Sequence, residues 1–177
     1  MVDAARHPNI TVMSYTEVKR VEGFIGNFKV QVEEKPRYVN TDRCNGCGAC
    51  SPVCPIEIPN EFEEGIAPRK AIYIPHAQAV PLRYVIDEDA CIHCYKCVDA
   101  CGKLDAIDFS QKAKQEWIDV GSILVATGFD NFDPSVIKEY GFGRYANVIT
   151  AMEMERINNS AGPTAGRIMR PSDGKFP

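Results

Sequence analysis

The chain has 177 residues, of which 45% are hydrophobic and 25% charged, and its formal net charge is −4. This composition is typical of one soluble domain, or of a small domain attached to part of another. No apolar run is long enough to span a bilayer, and the N-terminal residues lack the apolar core of a secretory signal, so we expect a cytoplasmic protein without a membrane span. The acidic excess, with no block of Lys and Arg, argues against nucleic acid as a partner.

The N-terminal part of the chain predicts β-structure. Residues 9–15, NITVMSY, form a compact apolar run of the kind found in a strand. Residues 16–23 and 26–34 alternate apolar and polar side chains on either side of a short turn. They therefore predict a β-hairpin.

A run of four closely spaced cysteines follows the hairpin, with the spacing C-x2-C-x2-C-x3-C: Cys44, Cys47, Cys50 and Cys54. In a reducing cytoplasm, cysteines crowded in this way indicate metal ligands rather than disulfides. Ligands at three-residue intervals allow one tight loop to cover three corners of a cubane, and Cys54, one residue later, turns away from the other three.

The same spacing recurs in a second run, each cysteine 47 positions after its counterpart: Cys91, Cys94, Cys97 and Cys101. The repeated run resembles that of bacterial ferredoxins, in which the fourth cysteine ligates the other cluster. We therefore assign one 4Fe-4S cluster to Cys44, Cys47, Cys50 and Cys101, and the second to Cys91, Cys94, Cys97 and Cys54. The alternative is a redox-inert structural module, for example two zinc ribbons, but zinc sites usually take two ligands from each of two distant knuckles.

The two motifs differ at the residues between their ligands. Gly46 and Gly48 permit left-handed backbone torsions in the first loop, whereas His93 and Tyr95 occupy the same positions in the second. His93 could donate to cluster sulfur and raise its potential, or could be an exposed spacer. We do not count it as a ligand.

Short elements are predicted around the second motif and after it. Residues 70–75 and 106–109 predict short strands, and residues 122–126, SILVA, predict a buried strand that ends at Thr127-Gly128. A buried strand that runs into a glycine turn is typical of a parallel nucleotide-binding sheet. Residues 134–141 predict a helix that starts at a proline, and Thr150 with Glu153 predicts a capping box for a further helix.

The order of these elements resembles known flavoproteins. A strand, a hairpin and a strand ending in Ala126, Thr127 and Gly128 are similar to the disulfide-reductase flavoproteins, in which that turn lies against FAD. Together with the inserted cysteine motifs and the stretches YGFGRYANVIT (140–150) and GPTAGRIMRPSDGK (162–175), the chain resembles the A subunit of heterodisulfide reductase, an iron-sulfur flavoprotein of methanogens and related anaerobes.

This resemblance implies an α+β fold in which a two-cluster, bacterial-ferredoxin-like domain is inserted in part of an α/β FAD/NAD(P)-binding domain. The ferredoxin domain would cover residues 39–110, and the partial flavoprotein domain residues 1–38 and 111–177. The resemblance also implies a one-electron relay within a flavin-based electron-bifurcating complex involved in methanogenesis. In the complete protein, FAD would lie near Ala126, Thr127 and Gly128. The implied partners are the remainder of the flavoprotein subunit, the other heterodisulfide reductase subunits, and a hydrogenase or formate dehydrogenase.

The sequence predicts no catalytic side chains. The stretch GFGRYA (141–146) matches G-x-G-x-x-A but follows a helical turn rather than a buried strand, so we do not interpret it as a dinucleotide loop. We expect a piece of a larger polypeptide, or one half of a split one, that transfers electrons and is not a complete enzyme by itself.

Overall fold

The computed structural model describes residues 2–177 and forms two compact units. The first unit contains residues 2–56 and 70–126, and the second contains residues 57–69 and 127–177. The connection between the two cysteine motifs therefore leaves the first unit shortly after Cys54 and returns to it at Lys70.

The structure has three short helices and seven strands within residues 2–177. In chain order these are α1 (Val2–Arg6), β1 (Thr16–Phe24), β2 (Asn27–Glu34), β3 (Glu57–Pro59), β4 (Pro68–Lys70), β5 (Ile72–Tyr73), β6 (Val85–Ile86), α2 (Lys96–Cys101), β7 (Lys114–Val120) and α3 (Ala151–Asn158). One-turn 3₁₀ helices lie at Glu61–Glu63, Gly102–Leu104, Pro134–Val136 and Lys138–Tyr140.

The predicted hairpin is confirmed as β1 and β2, which pair antiparallel from Thr16 opposite Glu34 to Phe24 opposite Asn27. Strand β7 extends this sheet on the other side of β2, in the order β1-β2-β7, with Lys114 opposite Glu34. The chain therefore leaves the sheet at Glu34 and returns at Lys114. The whole cysteine-rich region is an excursion between two adjacent strands.

The core of the first unit joins the two cysteine motifs. The Asn40 N–H donates to the Ala106 carbonyl at 2.7 Å, and the Asp108 N–H donates to the Tyr38 carbonyl at 2.9 Å. These bonds flank an isolated bridge between Val39 and Ile107, so the predicted strand at residues 106–109 is reduced to a single bridge. The segment before the first motif is thus tied to the segment after the second. The buried core residues are Tyr38, Val39, Cys44, Cys50, Ile72, Ile86, Cys97, Ala106 and Ile107.

The predicted strand at residues 70–75 is confirmed in its central part by β5, which pairs antiparallel with β6. Ile72 lies opposite Ile86, and both are buried. This two-stranded ribbon brings the connection back against the cysteine motifs.

Two predicted strands are wrong. Residues 9–15 and 122–126 lie outside regular secondary structure, and Leu124 in the second stretch is 93% exposed. A strand needs a neighbour for its backbone N–H and C=O groups, and neither stretch pairs with any strand that the structure describes. The strand of this region is β7, which lies just before residues 122–126 and pairs with β2.

The second unit contains both predicted C-terminal helices, one of them in modified form. Residues 134–140 form two successive 3₁₀ turns rather than an α-helix, and Gly141 ends them with a φ of +74°. The capping box of α3 is confirmed, because the Glu153 N–H donates to Thr150 Oγ1 at 3.1 Å and the Thr150 N–H donates to Glu153 Oε2 at 2.5 Å.

A buried ion pair holds the connection against α3. Arg156 donates to both carboxylate oxygens of Glu63, from Nε and Nη2, each at 3.0 Å. Both side chains are buried, and the guanidinium carbon lies 4.3 Å from the centroid of the Phe62 ring. The hydrogen bonds to Glu63 raise the pKa of Arg156 above its usual value, so the guanidinium group stays charged. Residues 57–69 are therefore a structural part of the second unit.

Replacing Arg156 with Leu should loosen the second unit, because Glu63 would be left as a buried carboxylate without its partner. We expect a loss of about 3–5 kcal/mol in the opening free energy of α3, measured by amide hydrogen exchange. The matched control is Arg170→Leu, which breaks the exposed pair between Arg170 and Asp173 and should cost less than about 1 kcal/mol. Equal losses in the two variants would contradict a structural role for the buried pair.

Candidate metal centres

Four cysteines line one pocket, which we call the first pocket. Three of them come from the first motif, namely Cys44, Cys47 and Cys50, and the fourth is Cys101 from the end of the second motif. The rest of its wall is largely apolar, with Val39, Ile72, Tyr84, Leu104, Ala106 and Ile107 among the lining residues.

A second pocket has the reciprocal composition. Its cysteines are Cys91, Cys94 and Cys97 of the second motif and Cys54 from the end of the first. Its apolar wall includes Ile56, Ala71, Ile72, Ile86, Ile92 and Phe109. The structure thus brings together the same two groups of four cysteines that the ferredoxin-like spacing predicts.

Helix α2 contributes to both pockets. Cys97 lies near its start and lines the second pocket, whereas Cys101 at its end lines the first. Four residues separate the two cysteines, which is about one helical turn. A single turn of helix therefore exchanges one cysteine between the halves of the repeat.

Asparagine side chains shape the first loop. Asn40 Oδ1 accepts hydrogen bonds from the backbone N–H groups of Asp42 and Arg43, at 2.9 and 3.1 Å. Asn45 Oδ1 accepts from the Cys47 N–H at 3.0 Å. These are Asx turns, which replace regular backbone pairing in a tight loop. The spacing of the cysteines does not reveal these turns, although Asn at the start of a turn is a recognised signal.

The two cysteine loops share an unusual backbone conformation. Gly46 and Gly48 have φ values of +74° and +87°, and their counterparts His93 and Tyr95 have values of +50° and +58°. A left-handed torsion costs a non-glycine residue about 1–2 kcal/mol. Both rings pack on Phe109 with centroids 5.2 Å away, and this contact offsets part of the cost.

Burial makes the innermost thiols weak acids. Desolvation by burial, together with a smaller effect of neighbouring cysteines, raises the pKa of Cys50 to about 12 and that of Cys97 to about 11. Without a cation these thiols would stay protonated at neutral pH. A bound metal removes the protons, so metal binding should release protons and be linked to folding.

Backbone donors point at the sulfur atoms. The His93 N–H donates to Cys91 Sγ and the Ala106 N–H donates to Cys101 Sγ, each at 3.4 Å. Such bonds stabilise thiolate charge and are one of the means by which a protein sets the potential of an iron–sulfur cluster. The second cysteines of the two motifs, Cys47 and Cys94, are exposed, so each pocket also has an edge that reaches the surface.

The arrangement has the features that a 4Fe-4S cluster requires. Among residues 2–177, no three His, Cys, Asp or Glu side chains converge closely enough for one metal ion. Each set of four thiols instead surrounds a volume with apolar walls and sulfur-directed N–H groups. A 4Fe-4S cubane requires four cysteine ligands, and hydrogen bonds to sulfur and burial set its potential.

The residues predicted to lie near FAD occupy a different kind of environment. Ala126, Thr127 and Gly128 lie in an exposed stretch outside regular secondary structure, where Gly128 has a φ of +76°. Their role toward FAD stays a prediction.

Comparison with known proteins agrees with this geometry. A family model described as a 4Fe-4S dicluster domain matches residues 43–107, which contain all eight cysteines. Over its whole length the chain is 57% identical to the iron-sulfur A subunit of CoB–CoM heterodisulfide reductase from Methanocaldococcus jannaschii. Over its whole length the chain is therefore similar to a segment of heterodisulfide reductase A subunits.

Other relatives with related names also match the whole chain. It is 54% identical to the A subunit of the H2/formate:CoB–CoM heterodisulfide,ferredoxin reductase of Methanococcus maripaludis, and 47% identical to the A subunit of the ferredoxin:CoB–CoM heterodisulfide reductase of Methanosarcina mazei. The chain covers 27% of the first two relatives and 22% of the third, so it spans about a quarter of their length.

These findings confirm the predicted resemblance to heterodisulfide reductase A subunits and the two 4Fe-4S clusters as cofactors. Across residues 2–177, no helix is both long and apolar enough to cross a membrane.

Replacing Gly46 with Ala should weaken the first cluster. The new Cβ would lie 3.1 Å from the Leu82 carbonyl oxygen, and the φ of +74° would be strained for alanine by about 1–2 kcal/mol. We expect reduced iron content and a lower melting temperature in the anaerobically purified protein. The control is Gly26→Ala in the β1–β2 turn, where the φ is +88° and the new Cβ would contact nothing. If Gly26→Ala lost as much iron as Gly46→Ala, the loop geometry would not be the cause.

Proposed function

We propose that this chain relays single electrons between two 4Fe-4S clusters within a heterodisulfide-reductase-type complex. One cluster would be held by Cys44, Cys47, Cys50 and Cys101, and the other by Cys91, Cys94, Cys97 and Cys54. The observation that carries this proposal is the reciprocal composition of the two pockets. Each is lined by three cysteines of one motif and the last cysteine of the other.

Each part of the site has a defined task in such a relay. A bound 4Fe-4S cluster supplies the ability to accept and return one electron at a potential set by its surroundings. The chain holds four sulfur ligands in place from a loop and from helix α2, and the apolar walls exclude water. The N–H groups of His93 and Ala106 offset part of the negative charge on sulfur.

The exposed edges indicate where electrons enter and leave. Cys47 and Cys94 are exposed, whereas Cys44, Cys50 and Cys97 are buried. The exposed pair occupies equivalent positions in the two motifs. We therefore assign exchange with outside donors and acceptors to these edges, and exchange between the clusters to the side where Cys54 and Cys101 cross.

The pairing of strands β2 and β7 supports an insertion into a flavoprotein domain. Strands β2 and β7 pair directly, although residues 35–113 separate them in the chain. This is the arrangement expected when a ferredoxin-like domain, residues 39–110, is inserted between elements of a domain formed by residues 1–38 and 111–177. We propose that the flanking parts belong to a FAD-binding domain, with Ala126, Thr127 and Gly128 near the flavin of the complete protein.

The names of the relatives suggest the wider reaction. Two of the three named relatives combine the CoB–CoM heterodisulfide with ferredoxin, and one of these two adds hydrogen or formate. By extension, we propose that this chain serves a flavin-based bifurcating complex of methanogenesis. Its partners would be the remainder of the flavoprotein chain, the other reductase subunits, and a hydrogenase or formate dehydrogenase.

Paired cysteine substitutions test the crossed ligands. The unaltered chain should contain about eight iron and eight sulfide per molecule and, after reduction with dithionite, show electron paramagnetic resonance signals of interacting clusters. The double variant Cys54→Ala, Cys94→Ala removes two ligands from one pocket and should retain about four iron. The matched variant Cys54→Ala, Cys47→Ala removes one ligand from each pocket and should disturb both clusters.

The opposite pattern would disprove the crossing. If each motif held its own cluster, the Cys54 and Cys47 variant would keep one cluster intact and the Cys54 and Cys94 variant would lose both. Clusters that contain iron but do not accept an electron from dithionite would instead favour the redox-inert structural role.

A further inference from the structure

One apolar side chain separates the two pockets. Among residues 2–177, Ile72 is the only residue that lines both of them. It lies on β5 opposite Ile86 and is 2% exposed. It belongs to neither cysteine motif, because it comes from the connection between them.

We propose that Ile72 is the partition between the two clusters and sets the reduction potential of both. This inference rests on the ligand assignment proposed above. It adds a positioning residue outside the ligand set, and it gives the connection a role in electron transfer.

The physical basis is the exclusion of water and polar groups. A cluster with four thiolates carries net negative charge, and reduction adds one more electron. Apolar surroundings stabilise that added charge poorly, so a dry wall keeps the potential low. Because the wall at Ile72 is common to both pockets, a change in its polarity acts on both clusters.

The same wall also controls how strongly the clusters influence each other. Two negative charges repel more strongly across an apolar medium than across water. Reduction of one cluster therefore disfavours reduction of the other, and the two midpoint potentials are driven apart. A polar group at position 72 should reduce this separation.

The structure favours a rigid role for this residue. Isoleucine is branched at Cβ and has restricted rotation about χ1 in a strand. The pairing of β5 with β6 fixes its backbone. Ile72 is therefore held in one orientation, with its side chain common to both walls.

Two neighbours provide matched controls. Ile86 is equally buried and lies opposite Ile72, but it lines the second pocket and not the first. Tyr84 lines the first pocket and not the second. Substitutions at these positions should act on one cluster each.

The test is a redox titration of the full 177-residue chain with both clusters in place, followed by electron paramagnetic resonance. Ile72→Thr keeps the branched Cβ and adds a hydroxyl group. It should shift both midpoint potentials to less negative values and bring them closer together. Ile86→Thr should shift only the second cluster in the same direction. Tyr84→Phe removes a hydroxyl and should shift only the first, to a more negative value.

The outcomes separate this inference from the proposed function. If the unaltered chain lacks about eight iron, the ligand assignment fails and not the role of Ile72 alone. If Ile72→Thr retains the iron of the unaltered chain but shifts one potential or neither, the partition is disproved. If Ile72→Thr does not retain its iron, Ile72→Val is judged by the same criterion, with smaller shifts of both potentials expected.

Discussion

The structure depends on the exchange of one cysteine between the two halves of the repeat. Cys54 reaches the pocket of the second motif, and Cys101 reaches that of the first. Neither pocket is complete without the other motif, so the two halves must fold together. The hydrogen bonds between residues 38–40 and 106–108 provide this closure, since they join the start of the first half to the end of the second.

The exchange also explains why metal and fold are linked. Burial raises the pKa of Cys50 and Cys97, so these two thiols would stay neutral without metal. Binding the cluster converts them to thiolates, and the free energy of that binding contributes to the stability of a region whose buried core is itself built partly from cysteines. Two oxidised clusters would bring the net charge from −4 to roughly −8, which favours a basic partner surface.

The connection between the motifs does more than span the distance between them. After Cys54 it enters the second unit, where Glu63 pairs with Arg156 in a buried site. It then returns as β5 and places Ile72 between the two pockets. A change in this connection can therefore affect both the anchoring of α3 and the surroundings of the clusters.

The sequence by itself determined the chemistry of the site. Eight cysteines with a repeated spacing predict two clusters and the grouping of their ligands, and local patterns predict the β1–β2 hairpin and the capping box of α3. These features depend on residues close together in the chain or on ligand spacing, which can be read directly. Only the tertiary structure decided which apolar runs become strands. Residues 9–15 and 122–126 do not form strands, because a strand requires a neighbouring strand to pair with. The more polar residues of β7 do form a strand, because β2 lies beside them. The tertiary structure also decided the pairing of Glu63 with Arg156 and the position of Ile72, because contacts between distant residues leave no periodic signal in the sequence.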